Sequence, residues 1–349
     1  MTKRFGLLIF GAIAFAVSLG SAGAADTEIQ QFYSQTQAQL AAQDFDALEA
    51  QSGELRRDDK RFAGGVSGVL LFYRALSGQS LADNHWRDPT VFNERDAAFD
   101  KQRELLEAWR DAKPGLTAPQ IALALLWRGY AWQARGGTFA PKVPSEQWPI
   151  FQERIAKQDE ALRKAVPADA AKRNAVSTDP GAYLVLLSLA RDQSWTRNQL
   201  DSLYREAIGN HPTSFHLYTQ RAETLEPRWF GADGELNEYA DSLLQDPGGD
   251  VGRMAYSFIA IQQFGHRYRM REFYEKTGLR WADVKVGFEL REKRYGLSNA
   301  DWNLLLYFAC AALDRATGRR AAEHIGDDWA SWLWREKRVF DVNVAWTRR

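Results

Sequence analysis

The chain has one cysteine, Cys310, so no disulfide can form within it and the fold must stand on its packed core. It also lacks a charge excess: 45 basic side chains face 45 acidic ones, which argues against a general polyanion binder, and no nucleic-acid partner is expected. The catalytic signatures are missing as well. There is no G-x-S-x-G, and "GGVSGV" at Gly64–Val69 has the wrong spacing for a nucleophile elbow. No glycine-rich phosphate loop appears. The five histidines, His85, His211, His216, His266 and His324, make no H-E-x-x-H pair, whereas a zinc site needs three or four converging ligands. "DPGGD" at Asp246–Asp250 is too short for a calcium loop. No cofactor, metal or catalytic residue is therefore expected, and an enzyme is the less favoured reading. Cys310 lies inside the apolar run "LLLYFACAALD" and reads as a buried structural thiol.

A long apolar run occurs once, at the start. Lys3 and Arg4 precede the apolar stretch Phe5–Leu19, and Ala22-Gly23-Ala24 fits a small-x-small cleavage pattern before Ala25. The run is shorter than the roughly 20 residues of a spanning helix. Residues 1–24 are thus expected to be a signal peptide, removed on export to the periplasm or outside, leaving no transmembrane segment.

Strand signals are nearly absent, and the apolar residues fall at helical spacing. In "ADGELNEYADSLL", Leu236, Tyr239, Ala240, Leu243 and Leu244 line one helix face. Thr117 with Gln120, Thr196 with Gln199, and Asp179 before Pro180 have N-cap spacing. Gly136, Gly209, Gly278, Gly296 and Gly318 follow periodic runs as stop signals. Pro180, Pro212 and Pro247 stand 32 and 35 residues apart, each interval holding two amphipathic segments. That period fits tetratricopeptide-type helix hairpins, and Leu187, Ser188, Tyr204, Ala207 and Pro212 match the positions of that repeat. The expected class is all-α, an irregular α-solenoid of tetratricopeptide-like hairpins over 114–349, after an N-terminal helical segment at 25–113.

"LEPRWFGADGE", Leu225–Glu235, is the densest cluster of unusual residues. Pro227 stops the preceding helix, so the stretch reads as a bend whose Trp229 and Phe230 plug a gap between helix pairs, with Arg228 covering them. It resembles the L-x-P-[RK]-W-x-G element of an uncharacterised bacterial domain-of-unknown-function family. "AWQARGG" (Ala131–Gly137), "WADVKVGFELREKRYG" (Trp281–Gly296) and "NLLLYFACAALD" (Asn303–Asp314) resemble further elements of that family, in the same order. Gly296 departs from it, standing where proline is expected. The resemblance implies a tetratricopeptide-like helical fold and brings no catalytic residues.

Two features compete for a binding role. The 13 tryptophans include Trp127, Trp132 and Trp148 and, near the C-terminus, Trp329, Trp332 and Trp334; exposed ones could stack sugars beside acids such as Glu146 and Glu153. "FGHRYRMREFYEK", Phe264–Lys276, interleaves arginines with aromatics, and its plain reading is a solvated face paired to Glu272 or Glu275. The leading expectation is a protein- or peptide-binding module or scaffold in the cell envelope. Its candidate partner-binding residues are Tyr183, Leu187, Tyr218, Arg221, Arg228, Trp229, Arg267 and Arg269. The alternative is a glycan-binding or glycan-cleaving envelope protein.

Overall fold

The structure, a computed structural model, describes residues 24–78, 92–136, 140–166, 179–227, 229–265 and 268–349. Among them helices dominate. The first are α1 (Ala24–Ala41), α2 (Phe45–Asp58), α3 (Gly68–Leu76), α4 (Phe92–Ala112), α5 (Ala118–Arg135) and α6 (Gln147–Ala165). The middle of the chain holds α7 (Pro180–Asp192), α8 (Arg197–Asn210), α9 (Phe215–Thr224), α10 (Glu235–Ser242) and α11 (Gly249–Phe264). The last are α12 (Phe273–Thr277), α13 (Trp281–Tyr295), α14 (Asn299–Ala311), α15 (Arg315–Ile325), α16 (Ser331–Trp334) and α17 (Lys337–Thr347). No described helix is long and apolar enough to cross a membrane.

Local chemistry sets many of these boundaries. The Asp179 carboxylate accepts from the Gly181 N–H at 2.8 Å, with Pro180 opening α7. Thr196 and Gln199 form the expected capping box at α8. Thr117 stands before α5 but makes no side-chain cap bond. Gly278 and Gly296 end α12 and α13 with positive φ, whereas Gly318 lies inside α15. A Cβ at Gly318 would meet Thr347 at 2.8 Å, so this glycine permits α17 to pack close rather than ending a helix.

Successive inner helices pack side by side: α3 touches α5 and α7, α7 touches α9, α9 touches α11, and α11 touches α13. One apolar core runs from Leu40 to Leu217 and a second from Phe215 to Phe340, with Tyr204 and Ile208 packed against both. Leu106 and Trp109 share the first core with Ile121 and Ala122, so packing is continuous across the boundary expected at residue 113.

The short stretch after α2 departs from the all-helical pattern. Arg61–Phe62 (β1) and Val66–Ser67 (β2) pair antiparallel around a single 3-10 turn at Ala63–Gly65. This hairpin lies against α13, far along the chain. The Gly64 N–H donates to the Gly296 carbonyl and Arg291 Nε donates to the Gly64 carbonyl, both at 2.8 Å. Arg291 is fully buried, paired with the equally buried Asp301 and seated over the rings of Phe258 and Phe288. A Cβ at Gly64, whose φ is +70°, would stand 2.2 Å from the Asp301 carboxylate, which explains the glycine. Around this contact Ile29, Phe62, Val66, Leu71 and Ala300 form a third small core, with Trp332 against it. Stacking of neighbouring hairpins alone does not bring such distant segments together.

Candidate functional site

Helices α7, α8 and α9 meet at a crevice lined by Leu187, Ser188 and Arg191, by Leu200 and Tyr204, and by Gln220, Arg221 and Thr224. It is shallow: its empty space is about 290 Å³ with the open mouth included, and the room left between its walls is about that of one water. Leu187 and Leu200 supply apolar walls. Gln220 Nε2 donates to Ser188 Oγ at 2.9 Å and to the Leu184 carbonyl at 3.0 Å, and these bonds fix the amide. Its carbonyl oxygen, Oε1, is buried and has no hydrogen-bond partner. A buried acceptor left unpaired costs about 1–3 kcal/mol, so an N–H that reached it would be stabilising; the amide oxygens of Gln39, Gln120, Gln133, Gln158 and Gln262 are buried and unpaired in the same way.

The rim is ionic. Arg221 pairs with Asp201, which also takes Arg197 at 3.0 Å, and Arg197 in turn pairs with Glu235. The Arg221 guanidinium lies 5.6 Å from the Tyr204 ring centre, and burial pulls its pKa down against the raising effect of Asp201. Tyr204 and Tyr239 share a hydrogen bond between their hydroxyls; burial pushes both phenols above their usual range, so they stay protonated.

Behind the crevice lies a buried charge cluster. The Asp192 side chain is fully buried and accepts from Arg128 Nε at 3.1 Å, Trp132 Nε1 at 2.9 Å and Arg191 Nε at 3.2 Å. Arg191 also pairs with Glu223 at 2.6 Å and lies over the Trp229 ring at 4.5 Å. Burial disfavours the Arg191 charge, but Glu223 and Asp192 outweigh it and hold the pKa above the ordinary arginine value. Trp229 meets Trp132 edge to face with ring centres 6.4 Å apart, and Phe230 packs on the first core. The "LEPRWFG" stretch is thus a packed corner, as its proline and aromatics implied, and it braces the arginine that lines the crevice.

The candidate residues separate into groups. Leu187 and Arg221 line the crevice, and Trp229 reaches it through Arg191. Tyr183 and Tyr218 do not line it and are buried elsewhere in the packing. The Tyr183 hydroxyl donates to Glu206 at 2.9 Å, and the Tyr218 hydroxyl donates to the Pro212 carbonyl at 2.7 Å. Both α7 and α9 are covered on nearly every side, so helical spacing could not separate their core face from a groove face. Arg269 lies elsewhere, with its side chain 87% exposed and 3.7 Å from Glu272, the solvated pairing expected of that stretch. Arg228 and Arg267 lie outside the described residues. Arg191, Asp192, Glu223 and Gln220 went unnoticed in the sequence, since charged and amide side chains near helix ends usually face water.

His211 caps α8, and His216 is buried beside Phe258, where burial with Arg61 and Arg74 nearby lowers its pKa to about 3. Among the described residues no group of three or more His, Cys, Asp or Glu is placed to hold a metal. The Arg135 guanidinium stands 4.8 Å from the Trp132 ring and 5.3 Å from the Trp148 ring. Trp334 is buried, while Glu146 and Glu153 are exposed on α6 and at its start. Cys310 is buried, and burial raises its thiol pKa to about 12, an inert state. Comparison with protein-family models, with curated proteins and with solved structures finds no match for the chain.

Proposed function

We propose that the chain is an exported, irregular α-solenoid of tetratricopeptide-like hairpins that binds a protein or peptide partner in the cell envelope through the α7–α9 crevice. The observation that carries this reading is the unpaired Gln220 Oε1 set among Leu187, Leu200, Tyr204 and Arg221. A peptide segment offers both complements: an apolar side chain against Leu187 and Leu200, and a backbone N–H for the waiting oxygen. The side-by-side packing of α3, α5, α7, α9 and α11 supports the repeat reading. The apolar run at Phe5–Leu19 and the small residues up to Ala24 support export.

The test places a photo-crosslinking amino acid at Tyr204 in the protein expressed in its native cell, with exposed Lys157 on α6 as the control position. The expected result is one reproducible protein adduct from position 204, none from 157, and loss of the adduct when Arg221→Ala is added. Equal labelling from both positions, or none from either, would remove the crevice as the docking site. N-terminal sequencing of the same protein should begin at Ala25.

A further inference from the structure

The last helix presents a different kind of surface. Phe340 and Thr347 anchor α17 to the second core, at 4% and 0% exposure. Its outward side carries Val339 and Val342, 41% and 62% exposed, one turn apart. Trp346 follows one turn later, half-buried under the Arg315 guanidinium at 5.3 Å from its ring. Two residues before Arg315, Leu313 is 57% exposed. On the same segments Arg315, Arg335, Arg338, Arg348 and Arg349 are all exposed, and none of them forms an ion pair among the described residues; one unpaired acid, Glu336, is exposed beside Arg335. On α17 itself only Lys337 is paired, with Asp341 at 2.8 Å. Elsewhere, arginines are paired repeatedly, as at Arg103, Arg197 and Arg280.

We infer that this face, from Leu313 and Arg315 across α17 to Arg349, docks on an anionic lipid surface. Projecting aliphatic side chains with a tryptophan and surrounding arginines are the arrangement by which a helix lies in the boundary between headgroups and acyl chains. The unpaired cations supply the attraction to negative lipid, and the valines and Leu313 enter the apolar edge. A second copy of the chain fits less well. A two-fold contact sets a patch against itself, which would oppose the same five arginines. The inference stands on α17 with the neighbouring Leu313 and Arg315 and is independent of the crevice.

The test uses the chain from Ala25 onward, which holds every described helix but the first residue of α1. Its sedimentation is measured with vesicles of phosphatidylcholine alone and with vesicles containing phosphatidylglycerol. The expected result is binding only to the phosphatidylglycerol vesicles, reversed by high salt. Arg335→Glu with Arg338→Glu and Arg348→Glu should weaken it about tenfold or more, and Val342→Asp should weaken it as well. Arg269→Glu, an exposed cation elsewhere, should leave it unchanged. All five positions are exposed, and unchanged thermal unfolding of each variant will show that the fold is intact. Equal binding to both vesicle types, or to anionic vesicles by the charge-reversed chain, overturns the inference. So does concentration-dependent dimerisation abolished by Val342→Asp, which would assign the face to a second copy.

Discussion

Single residues in this protein carry consequences that their types do not announce. His216 is buried beside Phe258 with Nε2 unpaired, and its pKa falls from the usual 6.5 to about 3. A group that binds its proton more weakly in the folded state contributes stability that is complete above the unfolded pKa and is lost as pH falls toward the folded one. The protein should therefore lose stability from about pH 6.5 downward, before most carboxylates titrate. Urea unfolding of the wild type and of His216→Phe at pH 7.5 and 5.5 checks this: the variant should lose distinctly less on acidification. Equal losses would show that His216 is free to protonate where it lies. This histidine was legible only as a residue near a helix start. Its burial comes from α11 packing over α9, which no local pattern encodes.

At the level of elements, capping residues and helical spacing were readable. Asp179, Thr196 and the glycines after α12 and α13 act as their chemistry directs. The corner between α9 and α10 was readable too, from Pro227 and the aromatics beyond it. Its tightness was not. A Cβ on Gly231 would stand 1.8 Å from the Leu225 carbonyl oxygen, a backbone atom that cannot swing aside. At Gly234 the φ is +86° but nothing lies within 4 Å of an added Cβ. Gly231→Ala should accordingly destabilise by about 2 kcal/mol or more, and Gly234→Ala by about 1 kcal/mol. Thermal unfolding of the two variants decides the order. A smaller effect at Gly231 would mean that the corner is looser than its geometry indicates. The groove residues failed for a related reason. On α7 every residue from Gly181 to Arg191 is buried, so Tyr183 and Leu187 carried the same sequence signal and met different neighbours.

The whole molecule is joined by contacts that repeat spacing could not foretell. Arg291 and Asp301 pair at full burial and hold the Gly64 turn against α13, linking the first hairpin to the C-terminal helices. Removing one partner of a buried pair leaves an uncompensated charge and costs about 3–5 kcal/mol. Arg291→Met should lower stability by that amount. It should also raise amide hydrogen exchange both at residues 61–67 and in α14, since one contact restrains both. Exchange confined to α14 would show that the hairpin is held by its apolar contacts alone. Gly64 lies in "GGVSGV" and Arg291 in "WADVKVGFELREKRYG", but their meeting spans a separation of 227 residues, beyond any local pattern.

The α7–α9 crevice is proposed to take a peptide through an apolar wall and the Gln220 oxygen. The most direct measurement is calorimetric titration of a peptide, selected by display on the chain from Ala25 onward, into the wild type and into Gln220→Leu. That substitution keeps side-chain bulk and removes the acceptor, together with the amide's own bonds to Ser188 and Leu184. The account predicts binding weakened about tenfold, with a melting temperature that does not fall in parallel. Unchanged affinity in Gln220→Leu would place the peptide elsewhere on the molecule and contradict the account.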